Sequence, residues 1–232
     1  DTHRGAADWT PMTDVPLDLV APHEVIWFPA HESNYGGYGG APNVPAALVL
    51  HTPEEPADGY ESTPNWFANP AANASTHYYA DNDGDLYQMV ADVEPAWAQG
   101  VRSHQRHWKG VPNKLPPWAP DGNNNIHALS IEIEGYAHSF KWTVAQFTSV
   151  AKWMAHKSIQ YDIPLDRDHV VGHEEIAVHK TDPGIARGTF DIDNLILAAA
   201  REREHMLDAL EPKVDPIEQA RKHLRRALEL LA

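Results

Sequence analysis

Pro45-Ala46-Ala47-Leu48-Val49-Leu50-His51-Thr52 is the stretch on which the fold turns. Its apolar run is short, continuous and bounded by turn-forming residues, which fits a strand buried on both faces. The run ends on a histidine, so an imidazole stands at the end of a core strand. Working outward, Thr63-Pro64 opens a short helix through Phe67, with Thr at the cap and Pro in the first turn. Thr76–Ala80 and Leu86–Val90 flank Asp81-Asn82-Asp83-Gly84, a hairpin signal because Asp-Gly tolerates the positive φ of tight turns. His127–Glu134 alternates like a strand and stops at Gly135.

Two helices follow. Over Thr143–Gln160 the apolar residues Val144, Phe147, Val150, Ala151 and Met154 recur at helical spacing and make a core-facing stripe. Asp191–Leu210 repeats the pattern with Leu195, Ala199, Met206 and Leu210. Strands and helices interleaved in this way define an α/β domain over residues 45–210. Residues 1–44 carry Pro, Gly and aromatic residues without a sustained period and read as an extension packed on that domain. The glycine-rich run 35–40 is followed by no basic residue and no helix start, so it does not cradle phosphate. Residues 100–125, rich in Pro, Asn, Gly and Trp, read as a long loop of the kind that often carries function. From Asp215 and Pro216, a cap and first-turn pair, Ile217, Ala220, Leu224, Ala227 and Leu231 repeat almost as a heptad seam, so 211–232 is expected to be a helical tail. It either folds back on the domain or serves as a docking or oligomerisation tail.

Composition removes several functions. The chain has no cysteine, which excludes thiolate nucleophiles, disulfide frameworks and Cys-based zinc fingers. Its formal charge of −15 disfavours nucleic acid, whose phosphates must be neutralised by Lys and Arg. No apolar run reaches the roughly 20 residues of a membrane span, and Asp1 in place of Met suggests a processed or trimmed start.

The chemistry is concentrated between Gly172 and Gly184. His173-Glu174-Glu175 superficially resembles a zinc-binding HExxH helix, but the next histidine, His179, is six residues on rather than four. On a helix those two rings would diverge by about 120°. His173 and Asp182 can face one ion only across a loop, and Pro183-Gly184 favours such a loop. A third ligand must come from elsewhere, and His51 at its strand end is the best placed. Two His and one carboxylate leave a fourth position open, the pattern of catalytic zinc, and nitrogen and oxygen donors suit that ion.

Five segments occur in register: Leu48–Thr52; Ser75–Tyr79 with Asp83-Gly84; Ala96-Trp97; Ser130–Gly135; and Gly172-His173 through Asp182–Gly184. Together they resemble the N-acetylmuramoyl-L-alanine amidases, a family that includes bacterial recycling enzymes, autolysins and phage endolysins and is related to peptidoglycan recognition proteins. The resemblance spans about residues 45–200. It implies a central mixed β-sheet flanked by helices and one Zn2+ held by His51, His173 and Asp182. It also implies hydrolysis of the amide between N-acetylmuramic acid and L-alanine, with Glu134 as the acid-base group and Lys180, two residues before the ligand aspartate, at the oxyanion. His77 is expected to line the site, and Trp97 to stack on sugar or peptide. Glu132 shares a strand face with Glu134 and is read as a bystander. Family members often carry a histidine where this chain has Ala98, so that substrate contact is either absent or supplied by His104 or His107. A secreted enzyme or one released to the cell wall by phage lysis fits this reading, and a non-catalytic peptidoglycan-binding module is the alternative.

Overall fold

A computed structural model describes residues 25–55, 62–100 and 103–210. The expected tail over 211–232 lies outside the described residues. Six strands form one sheet: β1 (Ile26–Trp27), β2 (Ala47–His51), β3 (Tyr78–Ala80), β4 (Leu86–Gln88), β7 (Ala128–Ile133) and β8 (Val170–Gly172). Their order is β1-β4-β3-β7-β2-β8. β3 and β4 form the expected antiparallel hairpin, while the pairings of β1 with β4, β3 with β7, β7 with β2 and β2 with β8 are parallel, so the sheet is mixed.

β2 occupies the interior of this sheet and every one of its residues is buried. Alternation along the strands sorts the side chains onto two faces. Leu48, Leu50, Leu129, Ile131, Ile133, Tyr78 and Val170 meet the helices α2 (Val144–Tyr161) and α3 (Ile192–Leu210) through Trp153, Met154, Leu195 and Ala199. Thr143 caps α2 by accepting from the Gln146 amide at 3.0 Å. The opposite face carries Val49 and Ala128, covered by Trp108, Trp118 and Ile176, and Tyr79, packed with Phe67 of the short helix α1 (Ser62–Phe67). His51 and Glu132 lie on this second face, where loops rather than long helices cover the sheet.

Two elements depart from the sequence reading. Ile26–Trp27 pairs with Tyr87–Gln88, so the segment before residue 45 contributes a strand to the sheet itself. Within the long loop, β5 (His107–Trp108) and β6 (Val111–Pro112) make a small antiparallel hairpin, and Arg106 bridges to Ala177. Such two-residue strands are too short to show a period. Among the described residues no helix is long and apolar enough to cross a membrane.

Buried histidines link stability to pH. His77 accepts from the Ser130 amide at Nδ1 (3.1 Å) and faces the Glu94 carbonyl with Nε2 (3.0 Å), and burial holds it down at about 4. Burial, with Lys157 nearby, does the same to His156. In the unfolded chain both return to about 6.5, so between pH 6.5 and 4 the unfolded state binds more protons and stability falls as pH falls. Urea unfolding of the apoprotein should lose several kcal/mol between pH 7 and pH 4.5, on the order of 1.4 kcal/mol for each imidazole over each pH unit of that window. A flat profile across the window would contradict the assignment.

Candidate metal centre

Three ligand-type atoms converge where β2 and β8 end. His51 Nδ1 lies 3.0 Å from His173 Nδ1, His173 Nδ1 lies 3.1 Å from Asp182 Oδ2, and His51 Nδ1 lies 3.3 Å from the same oxygen. Ligands about 2.0–2.1 Å from a tetrahedral ion stand roughly 3.3 Å apart, so this near-equilateral triangle has the right edge for zinc. Both imidazoles are buried and Asp182 is partly exposed.

Protonation suits the same purpose. His173 Nε2 meets the Gln99 carbonyl at 2.8 Å. A carbonyl only accepts, so Nε2 carries the proton and Nδ1 keeps its lone pair for the centre. Burial first, then the neighbouring His173, holds His51 down at about 4, neutral at physiological pH. Burial alone would push Asp182 up, but its contacts with His173 and His51 hold it well below the usual carboxylate range. Two imidazole nitrogens and a carboxylate oxygen converging on one point make a good cradle for a divalent cation.

Local sequence explains how a strand end and a loop meet there. The Glu175 carboxylate accepts from the Gly172 amide at 3.0 Å and pairs with Arg167, tightening the 3-10 turn that begins at His173. Glu174 turns the other way: its amide donates to the Asp182 carbonyl at 2.9 Å. Its carboxylate accepts from the amides of Gly184, Ile185 and Ala186. One glutamate thus pins the loop that returns Asp182 to His173. Gly184 sits at φ +104, where a Cβ would lie 2.4 Å from the Ala137 carbonyl oxygen. Gly184→Ala should therefore cost about 1–3 kcal/mol through overpacking and backbone strain. Because it shifts the Asp182 loop, it should also weaken zinc binding, both readable in thermal melts with and without zinc. An unchanged zinc-dependent shift in Tm would show that the loop tolerates the methyl group.

The remaining expected residues separate. β2 and β7 pair so that His51 stands opposite Glu132. Glu132 is half-buried, with its Oε2 shielded and unpartnered among the described residues, and burial, then the Asp182 charge, push its pKa well up while Lys180 opposes them. Glu134 lies two residues further on, roughly 7 Å along the strand direction, where its Oε2 accepts from the Asn82 amide at 2.7 Å. The register thus sets Glu132 beside His51, and the charges of Asp182 and Lys180 act on it. Lys180 is half-buried, and its charge acts on both His51 and Glu132. His77 has both ring nitrogens engaged within the protein and its ring buried. Trp97 is half-exposed, donates from Nε1 to the Gly36 carbonyl at 2.8 Å and stands two residues before Gln99.

The sequence pattern of the N-acetylmuramoyl-L-alanine amidases matches residues 41–185, more than half of the chain and all of the centre. The chain belongs to that family. N-acetylmuramoyl-L-alanine amidase A of Achromobacter lyticus is 31% identical over 131 residues, which is 56% of this chain and 58% of that protein. The chain thus spans little more than half the length of this curated relative. Among solved structures, a selenomethionine derivative of AmpD aligns with a TM-score of 0.55 at 23% identity, covering 76% of this chain and 94% of that one. A mutant endolysin from Bacillus subtilis gives a TM-score of 0.53 at 18% identity, covering 76% and 98%. At these identities the likeness speaks for the fold, a mixed central sheet flanked by helices. The family match closes at Ile185, so the long helix α3 lies beyond it.

Proposed function

We propose that this chain hydrolyses the amide between N-acetylmuramic acid and L-alanine in peptidoglycan, with zinc held by His51, His173 and Asp182. The observation that carries the reading is the triangle of ligand atoms with edges of 3.0, 3.1 and 3.3 Å. Family membership supports the bond attacked.

Zinc, when bound, supplies Lewis acidity that acidifies water and polarises an amide carbonyl. The protein's own groups do the proton work. Glu132, half-buried and opposite His51, is suited as a carboxylate to take a proton from the attacking water and return it to the leaving alanine nitrogen. Lys180 directs its charge towards the same centre and stabilises negative charge developing on the carbonyl oxygen. Trp97 offers an aromatic wall for sugar or peptide.

Digestion of purified peptidoglycan with and without a chelator tests the reading. New alanine amino termini should appear, vanish with chelator and return on adding zinc. New reducing sugars that persist in chelator would sink the proposal, and wall binding without cleavage would replace it with a recognition module.

A further inference from the structure

The turn that follows His51 is tied down by two neighbouring carboxylates that the proposed reaction does not use. Glu54 Oε1 accepts from the Thr52 hydroxyl at 3.0 Å and from the amide of Ala137, just beyond β7, at 2.9 Å. Glu55 is 6% exposed. Its Oε1 accepts from the Tyr79 hydroxyl at 2.8 Å, and its Oε2 accepts from the hydroxyl of Ser62, the first residue of α1. A carboxylate so deeply buried is tolerated because its oxygens are hydrogen-bonded. Burial, then the Glu55 charge, push the Tyr79 hydroxyl well up, so it stays a donor.

Strand register says what this turn spans. β3, β7 and β2 lie side by side, with Tyr79 opposite Glu132 and Glu132 opposite His51, so the three side chains share one face. Two strand spacings, about 10 Å, separate β2 from β3. A turn that leaves β2 after His51 and delivers Glu55 to Tyr79 therefore crosses β7, where Glu132 stands. Electrostatics agree: beside burial and Asp182, the charges of Glu55 and Glu54 act on Glu132. Glu132 Oε2 has no hydrogen-bond partner among the described residues, so the direction of that side chain is set by what covers it. An acid-base group works only when held within hydrogen-bond reach of its proton.

We infer that Glu55 is a positioning residue for Glu132: bridging Tyr79 and Ser62, it braces the turn 52–55 across β7 and keeps Glu132 aimed at the metal centre. The inference rests on the reading of Glu132 as the acid-base group of an amidase.

Three variants of the zinc-loaded protein test it on a soluble muramoyl-alanine substrate. Tyr79→Phe keeps the ring packed against Phe67 and Tyr87 and loses only the hydroxyl. It should lower kcat about tenfold with KM and zinc content unchanged. Glu55→Ala should match it, and the double variant should lose no more than either alone. Glu55→Gln keeps an acceptor for Tyr79 and a donor for Ser62, so kcat should return to within a few-fold of wild type. In a Glu132→Gln background, Tyr79→Phe should cost nothing further, because no proton carrier is left to position. Wild-type kcat in Tyr79→Phe, an equal loss with and without Glu132, or a Glu55→Gln as impaired as Glu55→Ala overturns the inference. If the wild type cleaves no muramoyl-alanine amide, the amidase reading fails by itself, and hydrogen exchange of the 52–55 amides decides the brace. Exchange at least tenfold faster in Tyr79→Phe than in wild type supports it, and unchanged exchange overturns it.

Discussion

Glu132→Gln should lower kcat on muramoyl-alanine substrates by about 10³-fold, within the range that general acid-base groups contribute, while leaving zinc content and Tm near wild type. Glutamine keeps the shape and one acceptor but neither takes nor returns a proton at neutral pH. Its neighbour is the control. Glu134→Gln retains an acceptor for the Asn82 amide, so its activity should stay within a few-fold of wild type. Single-turnover rates of both variants, measured beside their zinc content, separate the two glutamates. An active Glu132→Gln with an inactive Glu134→Gln would return the role to Glu134.

Stability should suffer most away from the metal, at Lys157. Its ammonium is buried against Asp92 at 2.5 Å and also donates to Gln160 at 2.9 Å. Asp92 further accepts from Tyr78 at 2.8 Å and Tyr161 at 2.9 Å. Burial alone would push Asp92 up, but Lys157 brings it below the usual carboxylate range, while burial lowers Lys157. Removing one partner strands the other, so Lys157→Met should cost about 3–5 kcal/mol, or roughly 6–20 °C in Tm for a domain of this size. The sign with pH follows. In the variant, burial raises the folded-state pKa of Asp92 above its unfolded value, so the deficit shrinks as pH falls and Asp92 becomes neutral. Adding Asp92→Asn should recover part of the loss. A single variant within 1 kcal/mol of wild type would show that Asp92 is satisfied by its tyrosines alone.

What could be read from the sequence, and what could not, divides along physical lines. β2 was legible because its buried residues Ala47–Leu50 lie in an unbroken apolar run that ends at His51, and the grouping of His173 with Asp182 because helical geometry forbids His173 and His179 from sharing one face. The bounds of α2 and α3 were legible to within a residue, although Val144, placed in the core-facing stripe of α2, is exposed at the first turn of that helix. The choice between Glu132 and Glu134 was not. Period two places both on one face, but which stands beside His51 depends on the register of two strands some 80 residues apart. The hydrogen bonds of His77 were hidden for a related reason: an imidazole that closes a hydrogen-bond network and one that meets substrate look alike until the partners are known. Glu55 belongs to a turn with no period at all, and only its hydrogen bond to Tyr79, two strands away, distinguishes it.

The two imidazole nitrogens at the centre are 3.0 Å apart but belong to residues separated by 122 positions. They can meet only after β2 and β8 have paired, so little of this cradle exists in the unfolded chain. A cation captured there acts as a removable cross-link across most of the domain, favouring the native state by mass action. Thermal resistance then becomes a function of free zinc concentration, and scarcity of the ion would weaken the scaffold together with the catalyst.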